Sequence, residues 1–277
     1  MPYKKILTIQ DISCVGQCSL TVALPILSAS GMETCILPSA VLSTHTGGFK
    51  GYTFRDLTED IPAIAEHWQR EGIRFDAVYT GYLGSAKQID YVQDIIQKLS
   101  AENAVSVVDP VMADNGKLYA GFDQDFVEAM KALVFSASII LPNITEACLL
   151  TGTEYRETYD RAYVDGLLDR LESMGAKTVI LTGVSFSPER TGVMVDEAGR
   201  RSYYEHQKIA KGCHGTGDIY ASAFVGALLG GKPAYDAAKL AADYTVLCIE
   251  NTQGDSSHWY GVKFEPCLPD YIRMLNA

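Results

Sequence analysis

The sequence predicts an α/β fold of three layers: a mostly parallel central sheet, helices on both of its faces, and an antiparallel hairpin at one edge. Three observations carry this. Short β-branched runs alternate with longer amphipathic segments over most of the length. Several runs are apolar at nearly every position, as strands covered on both faces require. Late in the chain two strand-like runs flank a polar, glycine-containing turn, the pattern of a hairpin.

Ile6 to Ile9 reads as the first strand and leads to a helical pattern at about Ser19 to Ser30. Thr34 to Leu37 and Ala77 to Thr80 are the next strands, with helices expected at Asp56 to Glu71 and Ala86 to Leu99. Val105 to Val108 is a fourth strand, followed by a helix over Asp123 to Val134, and Ile139 to Leu141 a fifth, followed by Thr145 to Leu150 and Glu157 to Met174. Thr178 to Leu181 closes the alternation, since strand, helix, strand repeated in this way makes a parallel sheet. Val193 to Val195 and Ser202 to Glu205 then form the expected edge hairpin. Helices over Ile219 to Leu229, Ala234 to Glu250 and Pro269 to Leu275 complete the chain. No linker, repeat or low-complexity stretch interrupts it, so residues 1–277 are expected to be one domain.

Composition narrows the function. Hydrophobic residues make up 47% and charged residues 21%, which is ordinary for a globular enzyme. A formal net charge of -11 argues against general binding to nucleic acid or to an anionic membrane, both of which need a basic face. It leaves ATP open, because ATP is held by local dipoles and a metal. The seven cysteines are odd in number, scattered and without a C-x-x-C pair, which predicts a reducing compartment. Cys14 and Cys18 have no second ligand pair nearby and read as small thiols rather than a metal site. Lys4-Lys5 runs straight into a four-residue strand, too short for a signal peptide, and no apolar run reaches the roughly 18 residues of a membrane span. A cytoplasmic protein is expected.

The segment Lys211-Gly212-Cys213-His214-Gly215-Thr216-Gly217-Asp218 runs directly into the apolar helix from Ile219. Gly215 and Gly217 let the backbone turn its N–H groups toward one point, and the helix aims its positive end there too. This is an anion site. Asp218, in the first helical turn, sets a carboxylate beside it, which points to a proton acceptor; the competing reading is an ordinary acidic cap.

Ligands of open α/β sheets sit at the carboxyl ends of the strands, and the polar residues that stand out fall there. Asp11 and Ser13 follow the first strand, Gly81-Tyr82 the third, Asp109 the fourth, Asn143 with Glu146 the fifth, and Thr182-Gly183 the sixth. Asp109-Pro110-Val111-Met112 puts an acid at a strand end, where it can hold hydrated Mg²⁺ or be a plain loop turn. Asp114-Asn115-Gly116, with Tyr119 soon after, makes a polar loop able to fold over a ligand. Asn143 and Glu146, three residues apart, suit Mg²⁺ as one carboxylate plus an amide, and equally suit a capping box. His45 and Thr46 lie in a hydroxyl- and glycine-rich loop, Ser43 to Gly48, while His67, His206 and His258 read as surface residues.

Other motifs fail. Gly226 to Lys232 matches G-x-x-x-x-G-K, but Pro233 replaces the Mg²⁺-binding hydroxyl and the stretch ends a helix instead of opening one. After the first strand there is only Gly16 and no dinucleotide fingerprint, and no G-x-S-x-G elbow supports a hydrolase.

Taken together, the Gly-Thr-Gly-Asp turn, Asn143-x-x-Glu146, Asp109-Pro110-Val111-Met112, Ile9-Gln10, Thr44-His45-Thr46 and Gly81-Tyr82-Leu83-Gly84-Ser85 resemble the ribokinase-like superfamily, and within it the pyridoxal (vitamin B6) kinases. The resemblance spans nearly the whole chain. It implies ATP-dependent phosphorylation of the 5′-hydroxymethyl group of a B6 vitamer. It makes Asp218 the proton acceptor and sets the amides of Gly215, Thr216 and Gly217 on the transferring group. Asp109 and Glu146 then organise Mg²⁺, and an added K⁺ or Na⁺ is left open. Asn143 and Thr182 line the nucleotide phosphates, Asp114 and Tyr119 close from their loop, and His45, Thr46 and Tyr82 surround the pyridine ring. A homodimer is implied as well.

Two positions depart from that family, Asp11 where Ser is usual and Ala113 where Gly is usual. As an acceptor only, Asp11 is expected to favour a protonated ring nitrogen or an aminomethyl cation. Two alternatives stand beside this reading: a hydroxymethylpyrimidine kinase, which shares the anion turn, and a catalytically silent ligand-binding relative. A sugar or nucleoside kinase fits less well, because only Gly16 stands where an early two-glycine motif is expected.

Overall fold

The computed structural model describes residues 3–209 and 214–277; the start of the glycine turn, including Cys213, lies outside the described residues. The first half of the chain runs β1 (Lys5–Ser13), α1 (Leu20–Ala29), β2 (Glu33–Leu42), β3 (Phe54–Asp56), α2 (Ile61–Arg70), β4 (Phe75–Thr80), α3 (Ala86–Leu99) and β5 (Ser100–Val108). A small hairpin, β6 (Ala113–Asp114) and β7 (Lys117–Leu118), precedes α4 (Gln124–Ser136), β8 (Ile139–Ile140), α5 (Ile144–Thr151) and α6 (Arg161–Ser173). The second half continues with β9 (Thr178–Ser187), β10 (Arg190–Glu197), β11 (Arg200–Gln207), α7 (Thr216–Leu229), α8 (Ala234–Thr252) and α9 (Leu268–Asn276).

Among the described residues nine strands form one sheet in the order β11-β10-β9-β8-β5-β4-β1-β2-β3. The six from β9 to β2 in that order are parallel neighbours. The β10–β11 hairpin adds antiparallel at one edge, as the sequence predicts, and β3 adds antiparallel at the other.

Alternation along the strands divides the core in two. Leu7 and Ile9 of β1 pack with α2 to α6 through residues such as Ile89, Met130 and Leu168, whereas Ile6 faces α1, α7, α8 and α9 through Val22, Phe224 and Ala241. Full burial of one such aliphatic side chain contributes about 1.5–3 kcal/mol, so both helical layers are held on by the sheet. The αβα architecture is therefore the expected one.

Differences from the sequence reading are local and have local causes. Asp56 belongs to β3, not to the following helix: its Oδ1 accepts from the Thr58 amide (2.8 Å), the Thr58 hydroxyl (2.5 Å) and Gln88 Nε2 (3.3 Å), a turn that delays α2 to Ile61. α6 begins at Arg161, not Glu157, because the Asp160 side chain caps it by accepting from the Tyr163 amide at 2.9 Å. β1 runs on through Asp11 and Ser13, which the sequence places after it, with a register shift at Asp11 where β2 carries one extra residue between Pro38 and Val41. Gly230 ends α7 and Pro233 caps α8, so the P-loop-like string is a helix-to-helix junction.

Candidate active site

The carboxyl ends of β1, β4, β5 and β8 and the amino end of α7 converge on one region. Gly215 is the N-cap of α7 in the left-handed conformation, φ +81°. A side chain there would place Cβ 1.8 Å from the Gln17 carbonyl oxygen, so the turn can press against residues 17–19 only with glycine at this position. Around Gly217, its own helix turn aside, no atom of the described residues lies within 4 Å of where a Cβ would stand, and the residue is exposed. The helix thus presents its positive end to open space.

Asp218 sits in the first turn of α7. Burial lifts its carboxyl to about 7, against a hydrogen bond from the Ser19 backbone and with a further upward push from Asp11. Ser19, at φ +54°, has its backbone on Asp218 and its side chain on Asp11, so one residue ties the two acids together. Asp11 is 6% exposed, accepts from Ser13 Oγ at 3.1 Å, and is also pushed up by burial. Its charge acts on Tyr82 as well. Nothing in the sequence marks Ser19, because its role comes from the backbone.

The second acid, Asp109, follows β5, its amide donating to Thr80 O at 3.0 Å. Burial first, then the charges of Glu146 and Asp218, push its carboxyl well above the ordinary range, while the Val111 backbone opposes this. Val111 has φ +33°, a strained value for a β-branched residue. Both oxygens of Glu146 are engaged: Oε1 accepts from Met112 N (3.0 Å) and, at greater length, from Ala113 N (3.5 Å), and Oε2 accepts from Asn143 N (2.9 Å). Asn143 Oδ1 accepts from Glu146 N at 2.9 Å, completing the capping box, and its Nδ2 donates to Ala113 O at 2.8 Å. Glu146, 2% exposed, is still lifted to about 7, since burial outweighs these amides. Asn143 and Glu146 therefore act first as the clamp that holds the Asp109 loop.

The remaining candidates divide. Thr182 bridges to Asn143 across parallel backbone and donates its amide to Pro142 O at 2.9 Å. Tyr119 is 41% exposed; the burial of the rest of its side chain first, and then the charges of Glu146, Asp114, Asp109 and Asp218, raise its phenol, which sets it near the acids. Asp114 is exposed and its carboxylate accepts from the amide and side chain of Asn115.

On the opposite side, His45 is buried, its Nε2 facing Tyr260 O at 2.5 Å and its Nδ1 accepting from Gly47 N at 3.0 Å, which requires the proton on Nε2. Its ring lies 5.1 Å from Phe49 and 5.2 Å from His214, and Phe49 lies 4.7 Å from Trp259. Thr46 is exposed on that loop. His258 is half-buried with Nε2 lacking a hydrogen-bond partner, not the surface residue the sequence suggests. The aromatic segment from His258 to Tyr260 escapes sequence reading because it is more than 200 residues from the loop it covers.

Among the described residues no three His, Cys, Asp or Glu side chains form a metal cage, and no helix is long and apolar enough to cross a membrane. The site combines an anion-receiving helix end, a carboxylate with a pKa near neutrality and two further acids that repel one another. An alcohol, a phosphoryl group and a cation are what such groups serve.

The chain belongs to the phosphomethylpyrimidine kinase family, whose model matches residues 28–261. It is 30% identical to the hydroxymethylpyrimidine/phosphomethylpyrimidine kinase of Bacillus subtilis, over 83% of this chain and 82% of that one. Pyridoxal kinase from Lactobacillus plantarum superposes with a TM-score of 0.91 at 33% identity, covering 98% and 97% of the two chains. A Bacteroides thetaiotaomicron protein assigned as a phosphomethylpyrimidine kinase and crystallised with pyridoxal gives a TM-score of 0.89 at 34% identity, covering 99% and 96%.

The Asp218 shift has a measurable consequence. With its folded pKa about 7 and its ordinary value 3.8, the folded chain keeps a proton that the unfolded chain has lost between roughly pH 4 and pH 7. Stability therefore falls as pH rises through that window and levels off above it. Asp218→Asn, which retains the Ser19 acceptor without the charge, should have a higher Tm than wild type at pH 8, with the gap reduced to about a third by pH 5 and closed only below about pH 4, when both are free of Mg²⁺ and nucleotide. A gap of equal size at both pH values would contradict the assigned cause.

Proposed function

We propose that this chain transfers the γ-phosphoryl group of ATP to the 5′-hydroxymethyl group of pyridoxal, pyridoxine or pyridoxamine. The observation that carries the reading is Asp218, a carboxyl lifted to about 7, standing at the amino end of α7 within electrostatic reach of Asp11 and Asp109. In the reaction Asp218 takes the proton of the alcohol as its oxygen bonds to the γ-phosphorus. The bond from that phosphorus to the β–γ bridging oxygen breaks, leaving ADP and a phosphate ester. Amides of Gly215, Thr216 and Gly217 meet the charge on the transferring group, an arrangement of positioning and neutralisation that phosphoryl transfer depends on.

Asp109 fits Mg²⁺: a buried carboxylate facing two other acids leaves negative charge that a hard cation offsets, and an open donor set leaves room for water and phosphate oxygens. Bound there, Mg²⁺ would neutralise the phosphates. Glu146 supports that site by fixing the Met112 and Ala113 amides, Asn143 and Thr182 shape the nucleotide side, and Asp114 and Tyr119 border it; a K⁺ or Na⁺ requirement is left open. Asp11, His45, Thr46 and Tyr82 form the vitamin side. A cytoplasmic homodimer completes the reading.

The family description and the B. subtilis relative favour a second reading, phosphorylation of hydroxymethylpyrimidine, by the same machinery with another ring. ADP release from Mg-ATP with pyridoxal, pyridoxine, pyridoxamine and hydroxymethylpyrimidine offered in parallel separates the two. The B6 vitamers are expected to dominate; turnover confined to the pyrimidine overturns the first reading. Asp218→Ala should still bind ATP and lose about 10²- to 10⁴-fold in kcat, and activity within a few-fold of wild type would remove its role as base.

Asp11 accepts hydrogen bonds only and favours cationic partners. In Asp11→Ser the ratio of kcat/KM for pyridoxamine to that for pyridoxal should fall by about tenfold, the size of one charge-assisted hydrogen bond. An unchanged ratio contradicts its assignment to the vitamin side.

A further inference from the structure

Beneath Asp218 a small polar island lies inside the apolar core. Thr8 and Gln10 of β1, Tyr79 of β4 and Ser222 of α7 are each 0% exposed. Thr8 and Tyr79 are partners in the β1–β4 register, and Gln10 lies two residues further along the same face. Ser222 follows Asp218 by four residues on α7, so the two share a helix face. Around them stand Ile6, Ala77, Ile219 and Phe224.

One hydrogen bond closes within the island, Gln10 Nε2 to Thr8 Oγ1 at 2.9 Å. Gln10 Oε1, the Tyr79 hydroxyl and Ser222 Oγ have no hydrogen-bond partner among the described residues. Three orphaned polar atoms on one patch are costly and demand an occupant able to donate and accept in several directions. The island also senses the site above it. Burial and then the charges of Asp109 and Asp218 push the Tyr79 phenol upward, while Ser222 and Gln10, near enough to offset this, do not reach hydrogen-bond geometry with its hydroxyl.

We propose that Gln10, Tyr79 and Ser222 enclose an internal water, and that this hydrated floor fixes the Asp218 carboxylate from below in the orientation that receives the substrate proton. The assignment makes Tyr79 and Ser222 positioning residues; it rests on the kinase reading, in which Asp218 is the base. A water donating upward and accepting from the two hydroxyls holds the carboxylate against the pull of Ser19 on its other side. Apolar packing under the same helix turn would leave the side chain free to rotate away from the alcohol.

Two measurements decide it. A crystal structure of the ligand-free protein at about 1.5 Å resolution or better should show a water within hydrogen-bonding distance of the Tyr79 hydroxyl and Ser222 Oγ. A dry site in which the side chains bond one another directly overturns the proposal.

In steady-state kinetics Tyr79→Phe, with Ser222→Ala as the second variant should the first fail to fold, should lower kcat about tenfold. KM for ATP and for the vitamer should stay within about twofold, and Tm close to wild type. In an Asp218→Asn background the same substitution should cost nothing further, since coupled residues are non-additive. An equal loss in both backgrounds, or KM and Tm moving together with kcat, would mean simple packing and refute the role. Wild-type turnover by Asp218→Asn alone would instead remove the role of Asp218 as base, and this proposal with it, whereas no phosphoryl transfer by the wild type would remove the kinase reading.

Discussion

Four acids, Asp11, Asp109, Glu146 and Asp218, crowd the carboxyl edge of the sheet, and every one is shifted upward with burial as the largest cause. How the protein tolerates this charge governs the rest of the site. Among the described residues no Lys or Arg pairs with any of the four; the ion pairs lie elsewhere, such as Arg201 with Asp165, Asp169 and Asp196 at the hairpin edge. Backbone serves instead. Ser19 supports Asp218, Val111 supports Asp109, and Met112, Ala113 and Asn143 support Glu146. Neutral amides hold carboxylates in place without cancelling their charge.

This economy explains features that otherwise look like defects. Val111 stays at a positive φ because its neighbours on both sides are fixed, Asp109 by its continuation of the β5 edge and Met112 by Glu146. The capping box of α5 and the loop after β5 are one device, since the same Glu146 serves both. Asp11 lies opposite the extra residue that β2 carries between Pro38 and Val41, and the Ser19 side chain acts on it while the Ser19 backbone acts on Asp218.

Much of this was legible in the sequence where one residue type settles the question. Strands covered on both faces spell themselves as apolar runs, and Gly-Thr-Gly-Asp before an apolar helix announces an anion turn, because only glycine allows the approach that Gly215 makes to Gln17. Asn143 and Glu146 were readable both as cap and as site, and the structure gives them the first role in full view. Ser19 was not legible, since it acts mainly through its backbone. Tyr79 and Ser222 read as core residues because their significance comes from orphaned atoms meeting across β4 and α7. The His258 to Tyr260 wall depends on a contact more than 200 residues distant in the chain. Boundaries at Asp56 and Asp160 were set by side-chain hydrogen bonds that periodicity does not encode.

The central claim is that the α7 amino end and these acids together move a phosphoryl group onto a small alcohol. Phosphorus-31 NMR of the protein mixed with Mg-ATP and pyridoxal tests it most directly. The account predicts equal growth of ADP and of a phosphate monoester on the vitamer, with little inorganic phosphate. Accumulation of inorganic phosphate without the ester, or ATP left intact with every B6 vitamer and with hydroxymethylpyrimidine, would contradict it.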